Sequence, residues 1–260
     1  MTAHIRTTVV SFALMALASS TGCVSRYFTP GGPAPIGAMT TASVAAVLQT
    51  VPESPMPARV AYAHIQDRSY RSASTSRVAR RGTIALVSAD DLEKAADLEA
   101  MRRWPETTDF VRLTPILVRN GAAAQDFDAL TALREGAATL HADILALYTV
   151  DTHFRVDDFS PGALGVLTLG LAPTRTAVVH STVSIVFVDV RTGFVYGTAE
   201  ASSNDDQLAN SWTSGDAVDQ CRRRVEREAF EKLLVEAGKT WEGLAAQRRA
   251  QLTSQGLTTP

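Results

Sequence analysis

Three polar side chains at alternate positions, Asp151, His153 and Arg155, are the residues of this chain best placed to do chemistry. In a β-strand they share one face, while Val150, Thr152, Phe154 and Val156 take the other, because successive side chains point to opposite sides of a sheet. A second run, His180, Thr182 and Ser184, alternates with Val179, Val183 and Phe187, which must point to a core. Were the two runs to pair, two imidazoles and a carboxylate would approach one another, a set able to bind a metal or shuttle protons. The bland alternative is a solvated sheet face carrying ordinary polar residues. That is the reading adopted: no metal, no cofactor and no catalytic residue, with Asp151, His153 and His180 as the residues that contest it.

Other chemistry is thinner. The sequence contains no Gly-rich phosphate loop, no Gly-x-Ser-x-Gly elbow and no His-Glu-x-x-His motif, so an enzyme is not expected. Cys221 falls on the apolar face of a helical pattern and reads as a buried structural thiol. Arg222, Arg223 and Arg224 follow it and read as a solvated surface.

Position decides the meaning of the other cysteine. Arg6 precedes an apolar run from Thr7 to Ala18, small residues follow from Ser19 to Gly22, and Cys23 comes next. This is a signal peptide's charged start, apolar middle and small-residue cleavage zone. The run is too short to span a bilayer as a helix, which needs about 20 residues. A cysteine at the cleavage point resembles the lipobox of bacterial lipoproteins, with Ser20 where that family usually carries leucine. The resemblance implies cleavage between Gly22 and Cys23, acylation of Cys23, and a membrane partner engaged through the lipid. Val24 in place of aspartate resembles the sorting signal for the outer membrane.

Removal of residues 1–22 takes away one basic residue and no acidic one, leaving 24 basic against 27 acidic residues, a net charge of −3. That balance gives no reason to expect a nucleic-acid partner. Residues 23–57 form the anchor and a Pro/Gly-rich tether, in which Ala42 to Val51 can make a short helix through Val44, Val47 and Leu48. Residues 58–240 are read as one domain, and residues 241–260 as a flexible tail.

Within the domain, Arg59–Gln66 and Thr83–Ser88 read as strands separated by a Ser/Arg-rich loop over residues 67–82. Ser88 or Asp90 can cap a helix running to about Arg103, Phe110–Val118 is extended, and Asp126 opens a helix to about His141. Asp143 begins the densest apolar strand. Thr176–Val190 and Phe194–Ser202 form a hairpin around Arg191-Thr192-Gly193, and Gly215 to about Gly238 is a long helix. The order predicts an α/β (α+β) fold, a single mixed sheet with helices packed on it.

Pro161 to Pro173 is a different kind of segment. Seven of its thirteen residues are Ala, Leu or Val and none is charged, so it must bury itself in the domain, in a second copy or in a bilayer. Leu167, Leu169 and Leu171, with Trp212, are the expected partner surface.

The lipobox, Ala42–Gln49, Arg59–Gln66, Phe110–Val118, His141-Ala-Asp-Ile-Leu-Ala-Leu-Tyr148 and Val188-Asp-Val-Arg-Thr-Gly-Phe-Val195 occur in an order that resembles the rhombotarget lipoproteins. That family lies within a wider set including curli-secretion-channel lipoproteins, penicillin-binding-protein activator lipoproteins and the amino-terminal domain of the Tol translocation protein. The resemblance implies anticodon-binding-like topology, protein contacts in the envelope and no catalytic residue. The expected protein is an outer-membrane lipoprotein with a periplasm-facing binding or scaffolding domain, whose partner is another envelope protein or itself. Two alternatives stand beside it: an oligomeric secretion-channel subunit, and a metal-dependent or hydrolytic enzyme built on Asp151, His153 and His180.

Overall fold

The computed structural model describes residues 26–28, 44–70, 78–88, 92–118, 128–158, 175–209 and 214–254. The lipidation residue Cys23, its neighbour Gly22, the 161–173 segment with Leu167, Leu169 and Leu171, and Trp212 lie outside them. The strands are β1 (Arg26–Phe28), β2 (Ala58–Asp67), β3 (Val78–Arg81), β4 (Ile84–Val87), β5 (Thr107–Arg112), β6 (Ile144–Asp158), β7 (Arg175–Asp189) and β8 (Val195–Ala209). Among the described residues the helices are α1 (Val44–Gln49), α2 (Ala95–Met101), α3 (Ala129–Thr139) and α4 (Ser214–Ser254), with a 3-10 turn at Pro115–Leu117.

The predicted mixed sheet with packed helices is what forms. Its strand order is β3-β4-β2-β6-β7-β8, with β1 paired to β6 and β5 paired to β2. On one edge, β2 pairs in parallel with β5 along residues 58–62 and antiparallel with β4 along residues 64–67; on its other edge it is parallel to β6. A strand so placed needs side chains suited to burial on both faces. Eight of the ten residues of β2 are buried, and its near-continuous apolar run follows from that.

The described chain groups into two compact units where the sequence reading has one domain. The smaller comprises Met1–Tyr27, Phe154–Val179 and Asp205–Cys221; the larger comprises Phe28–His153, His180–Asn204 and Arg222–Pro260. In the smaller, Cys221 is buried, as its place in the apolar helical pattern predicts.

In the larger unit, side-chain alternation produces two cores. Val60, Tyr62, Ile144, Ala146, Tyr148, Val183, Ile185 and Phe187 face α4 through Ala229, Phe230, Leu233, Ala237 and Trp241. Ala61, Ala63, Ile65, Leu145, Leu147, Val186 and Val188 face α3 through Ala129, Ala132, Leu133 and Ala137. The carboxylate of Asp128 caps α3 by accepting from the Leu130 amide at 3.0 Å, two residues after the Asp126 that the sequence suggests.

Three sequence expectations are corrected. Helix α4 does not end near residue 238: it runs to Ser254, and Trp241, Ala245 and Arg248 of the expected tail are buried. The indole N–H of Trp241 donates to the Pro105 carbonyl at 2.6 Å, which satisfies the one polar atom of a ring packed among Trp104, Phe110 and Phe187. The end of the Ser/Arg-rich loop is strand β3, paired antiparallel to β4. Helix α2 starts at Ala95, where the Asp97 carboxylate accepts from the Lys94 amide at 2.7 Å, and not at a cap on Ser88 or Asp90. Among the described residues, no helix is long and apolar enough to cross a membrane.

Candidate functional site

Strands β6 and β7 are neighbours, and they bring the two histidines together. The alternation that points Ile144, Ala146, Tyr148 and Val150 at α4 turns Asp151 and His153 to the side of Leu145 and Leu147, beyond the residues that α3 covers. His153 is exposed, His180 and Asp151 are half-buried, and the two ring centroids lie 5.2 Å apart with their planes 47° from each other. The Thr182 hydroxyl lies 3.3 Å from Nε2 of His180, and Ser184 donates to the Glu200 carboxylate at 2.9 Å. Asp151 does not complete a cluster: among the described residues, no three His, Cys, Asp or Glu side chains are grouped to hold a metal. The side chain of Arg155 lies outside the described residues.

On the α4 side of the same strands the polar character continues in buried form. The Thr152 hydroxyl lies 2.9 Å from both Ser181 Oγ and Glu226 Oε1, and Glu226 is paired with Arg222 at 2.8 Å. Arg222 is thus part of an internal polar chain, where the sequence suggests only a solvated surface.

A site that sequence reasoning missed lies at the β7–β8 hairpin. Asp189 is fully buried, and its carboxylate gathers donors from two directions. Oδ1 accepts from the amides of Arg191 at 2.8 Å and Thr192 at 3.1 Å, as an aspartate beginning a turn does. Oδ2 accepts from the amides of Glu53 at 2.8 Å and Ser54 at 2.7 Å and from the Tyr196 hydroxyl at 2.8 Å. The Ser54 hydroxyl lies 2.9 Å from Oδ2 and 2.7 Å from the Asp143 carbonyl, and its single proton serves one of them at a time. Burial works to raise the Asp189 carboxyl, but the hydrogen bonds from Glu53, Thr192, Tyr196 and Ser54 outweigh it and hold the group below the usual carboxylate range. Tyr196 answers in the other direction: burial, helped by the adjacent carboxylate, pushes its hydroxyl up to about 12.

Further contacts complete this clamp. Arg248 of α4 donates through Nε to the Ser54 carbonyl at 3.1 Å, and Arg191 reaches the Glu53 carbonyl at 3.2 Å and the Asp143 carboxylate at 3.3 Å. The segment leaving the tether is therefore fastened to the hairpin, the start of β6 and the end of α4 before it enters β2. Just ahead of the clamp, α1 and the residues that follow it leave apolar side chains uncovered: Val44, Val47 and Leu48 of the helix and Val51 beyond it are between 55% and 80% exposed.

A second buried polar group behaves differently. His64 stacks on the Tyr148 ring at 4.7 Å and 14°. The Gln66 amide nitrogen donates to the Val150 carbonyl at 2.7 Å and lies 3.2 Å from His64 Nε2. An amide N–H can only donate, so Nε2 accepts and the imidazole proton resides on Nδ1. Nδ1 is buried and, among the described residues, has no hydrogen-bond partner. Around it, Tyr148 donates to Glu93, Glu93 pairs with Arg112, and the Arg112 guanidinium lies 5.4 Å from the Tyr62 ring centre. Burial, then the positive charge of Arg112, lowers the His64 imidazole to about 3, so it is neutral.

No family model and no curated protein matches the chain. Among solved structures, the chain is similar to a "putative lipoprotein" from Caulobacter crescentus CB15, at 16% identity and a TM-score of 0.25, over 47% of this chain and 88% of that one. It is also similar to a PelC dodecamer from Paraburkholderia phytofirmans, at 11% identity and 0.26, over 79% and 96% of the two chains. A third likeness is to the hypothetical protein CT253 from Chlamydia trachomatis, at 11% identity and 0.26, over 69% and 96%. Likenesses this distant decide neither family nor activity.

Proposed function

We propose that this protein is a lipoprotein of the bacterial outer membrane, with a periplasm-facing domain that binds or scaffolds another envelope protein, or a second copy, and catalyses no reaction. The observation that carries this reading is Cys23 directly after Gly22, at the end of a short apolar segment preceded by a single arginine. With more than one acyl chain on Cys23, membrane attachment is stable, and the tether then sets the concentration of the domain near its partner. The Asp189 clamp supports this use, because it makes the anchor-side segment part of the folded unit. The uncovered apolar residues Val44, Val47, Leu48 and Val51 are one proposed contact surface, and Leu167, Leu169, Leu171 and Trp212 are proposed separately as a second.

Photocrosslinking from Leu48 in intact envelopes tests the reading, with Cys23→Ser as the comparison. A discrete crosslinked protein that disappears from the variant, while the variant leaves the membrane fraction, is the expected result. Loss of neither crosslink nor membrane association in Cys23→Ser would remove the anchor from the mechanism. A membrane-bound wild type that crosslinks to nothing from Leu48, and equally nothing from Leu169, would remove the binding role.

A further inference from the structure

The pairing of β6 and β7 leaves a pair of imidazoles on the part of the sheet face that α3 does not cover, and their spacing is informative. A zinc-class ion lies about 2.0–2.1 Å from a ligating ring nitrogen, hence about 3.2 Å from the ring centroid, so two imidazoles bound at a tetrahedral angle have centroids about 5.2 Å apart. The centroids of His153 and His180 are 5.2 Å apart, and the 47° tilt between the planes is not a stacking geometry. We infer that His153 and His180 form a two-histidine site for an exchangeable divalent transition metal, Zn2+ or Cu2+.

The surroundings fit that chemistry. Neutral imidazole is a preferred ligand of zinc and copper, and His153 is exposed, so water can fill the positions that the protein leaves open. The Thr182 hydroxyl, 3.3 Å from His180 Nε2, holds one nitrogen of that ring and leaves Nδ1 for the ion. A hydrogen bond to the far nitrogen is the usual way a protein orients a ligating histidine. With two protein ligands the ion is open and exchangeable, unlike a closed structural zinc. The site is independent of the lipid anchor and of any partner at α1.

The test uses the full chain without a histidine tag, titrated with CuCl2 and with ZnCl2 by calorimetry, and Cu2+ electron paramagnetic resonance to count bound nitrogens. One equivalent of Cu2+ carrying two imidazole nitrogens is expected. His153→Gln and His180→Gln should each weaken binding roughly tenfold or more, since loss of even an outer-shell partner costs about 10–100-fold. His141→Gln, which leaves the pair intact, should change nothing. Unchanged melting temperatures of the two glutamine variants establish that the loss is local; should either unfold, imidazole proton shifts of His153 and His180 in the wild type on adding Zn2+ give the same answer. No binding to the wild type, a one-nitrogen spectrum, or full binding in both glutamine variants would overturn the assignment.

Discussion

Asp189 and His64 are both buried on the same sheet, yet one keeps its charge and the other cannot acquire one. The difference lies in the number of partners. Asp189 gathers four backbone amides, the Tyr196 hydroxyl and a share of the Ser54 hydroxyl, and hydrogen bonds to a carboxylate offset the loss of water. His64 has one acceptor contact, an orphan Nδ1–H and a guanidinium nearby, so a second proton would enter a site with nothing to receive it. A charged group can be a structural fastener when every bond is made. A neutral one with a bond missing is a point of weakness in acid.

The largest effect should come from removing the fastener. Asp189→Ala strips the acceptor from the amides of Glu53, Ser54, Arg191 and Thr192, and should cost about 3–4 kcal/mol, read as a lower urea midpoint. Acid separates the two groups next. His64 is neutral in the folded protein and titrates near 6.5 when unfolded, so the unfolded chain takes up the proton first as pH falls. Its contribution is complete above pH 6.5 and declines toward pH 3, by about 2 kcal/mol between pH 6.5 and about pH 5. Asp189, with its folded value depressed, contributes fully above its unfolded value of 3.8 and loses that contribution only as pH falls further. His64→Phe should therefore flatten the stability profile between pH 5 and 6.5 and leave the steeper acid limb.

Smaller changes probe the parts of the clamp. Gly193 has φ +78°, and an added Cβ would stand 3.0 Å from the Arg134 guanidinium. Gly193→Ala should cost about 1–2 kcal/mol by straining the turn that supplies the Arg191 and Thr192 amides, with thermal unfolding as the readout. Arg248→Met keeps the apolar stem and removes the bond to the Ser54 carbonyl, together with the long 3.5 Å contact to Gln251. A loss of about 1 kcal/mol is expected from it in urea unfolding.

The comparison also marks what the sequence makes legible. The β6–β7 face was readable because Val150 and Thr152 alternate with Asp151 and His153, and period-two alternation fixes which residues share a side. The histidine pair follows from that alternation once the strands are neighbours. Half of the Asp189 site was equally open to reading, since an aspartate two residues before Arg191 accepts from its own turn. The other half was not: Ser54 stands 135 residues away, and no local pattern announces so distant a donor. The last turns of α4 were missed for a related reason. After Gly238 the inward stripe continues at helical spacing through Trp241, Leu244, Ala245, the stem of Arg248 and Leu252, but an arginine stands within it and polar residues crowd the rest of these turns, so the period is diluted. Strand β3 hides in the same way behind Arg80 and Arg81.

If Cys23 is to position a domain and not merely trail from it, the segment that enters the domain must be fixed to it. Amide hydrogen exchange at Glu53 and Ser54 in the full chain measures this directly. Both amides donate to Asp189, so they should exchange as slowly as the core of β2, and in Asp189→Ala they should exchange at the rate of open chain while β2 stays protected. Fast exchange at Glu53 and Ser54 in the unaltered protein would contradict the clamp, and with it the coupling between anchor and domain.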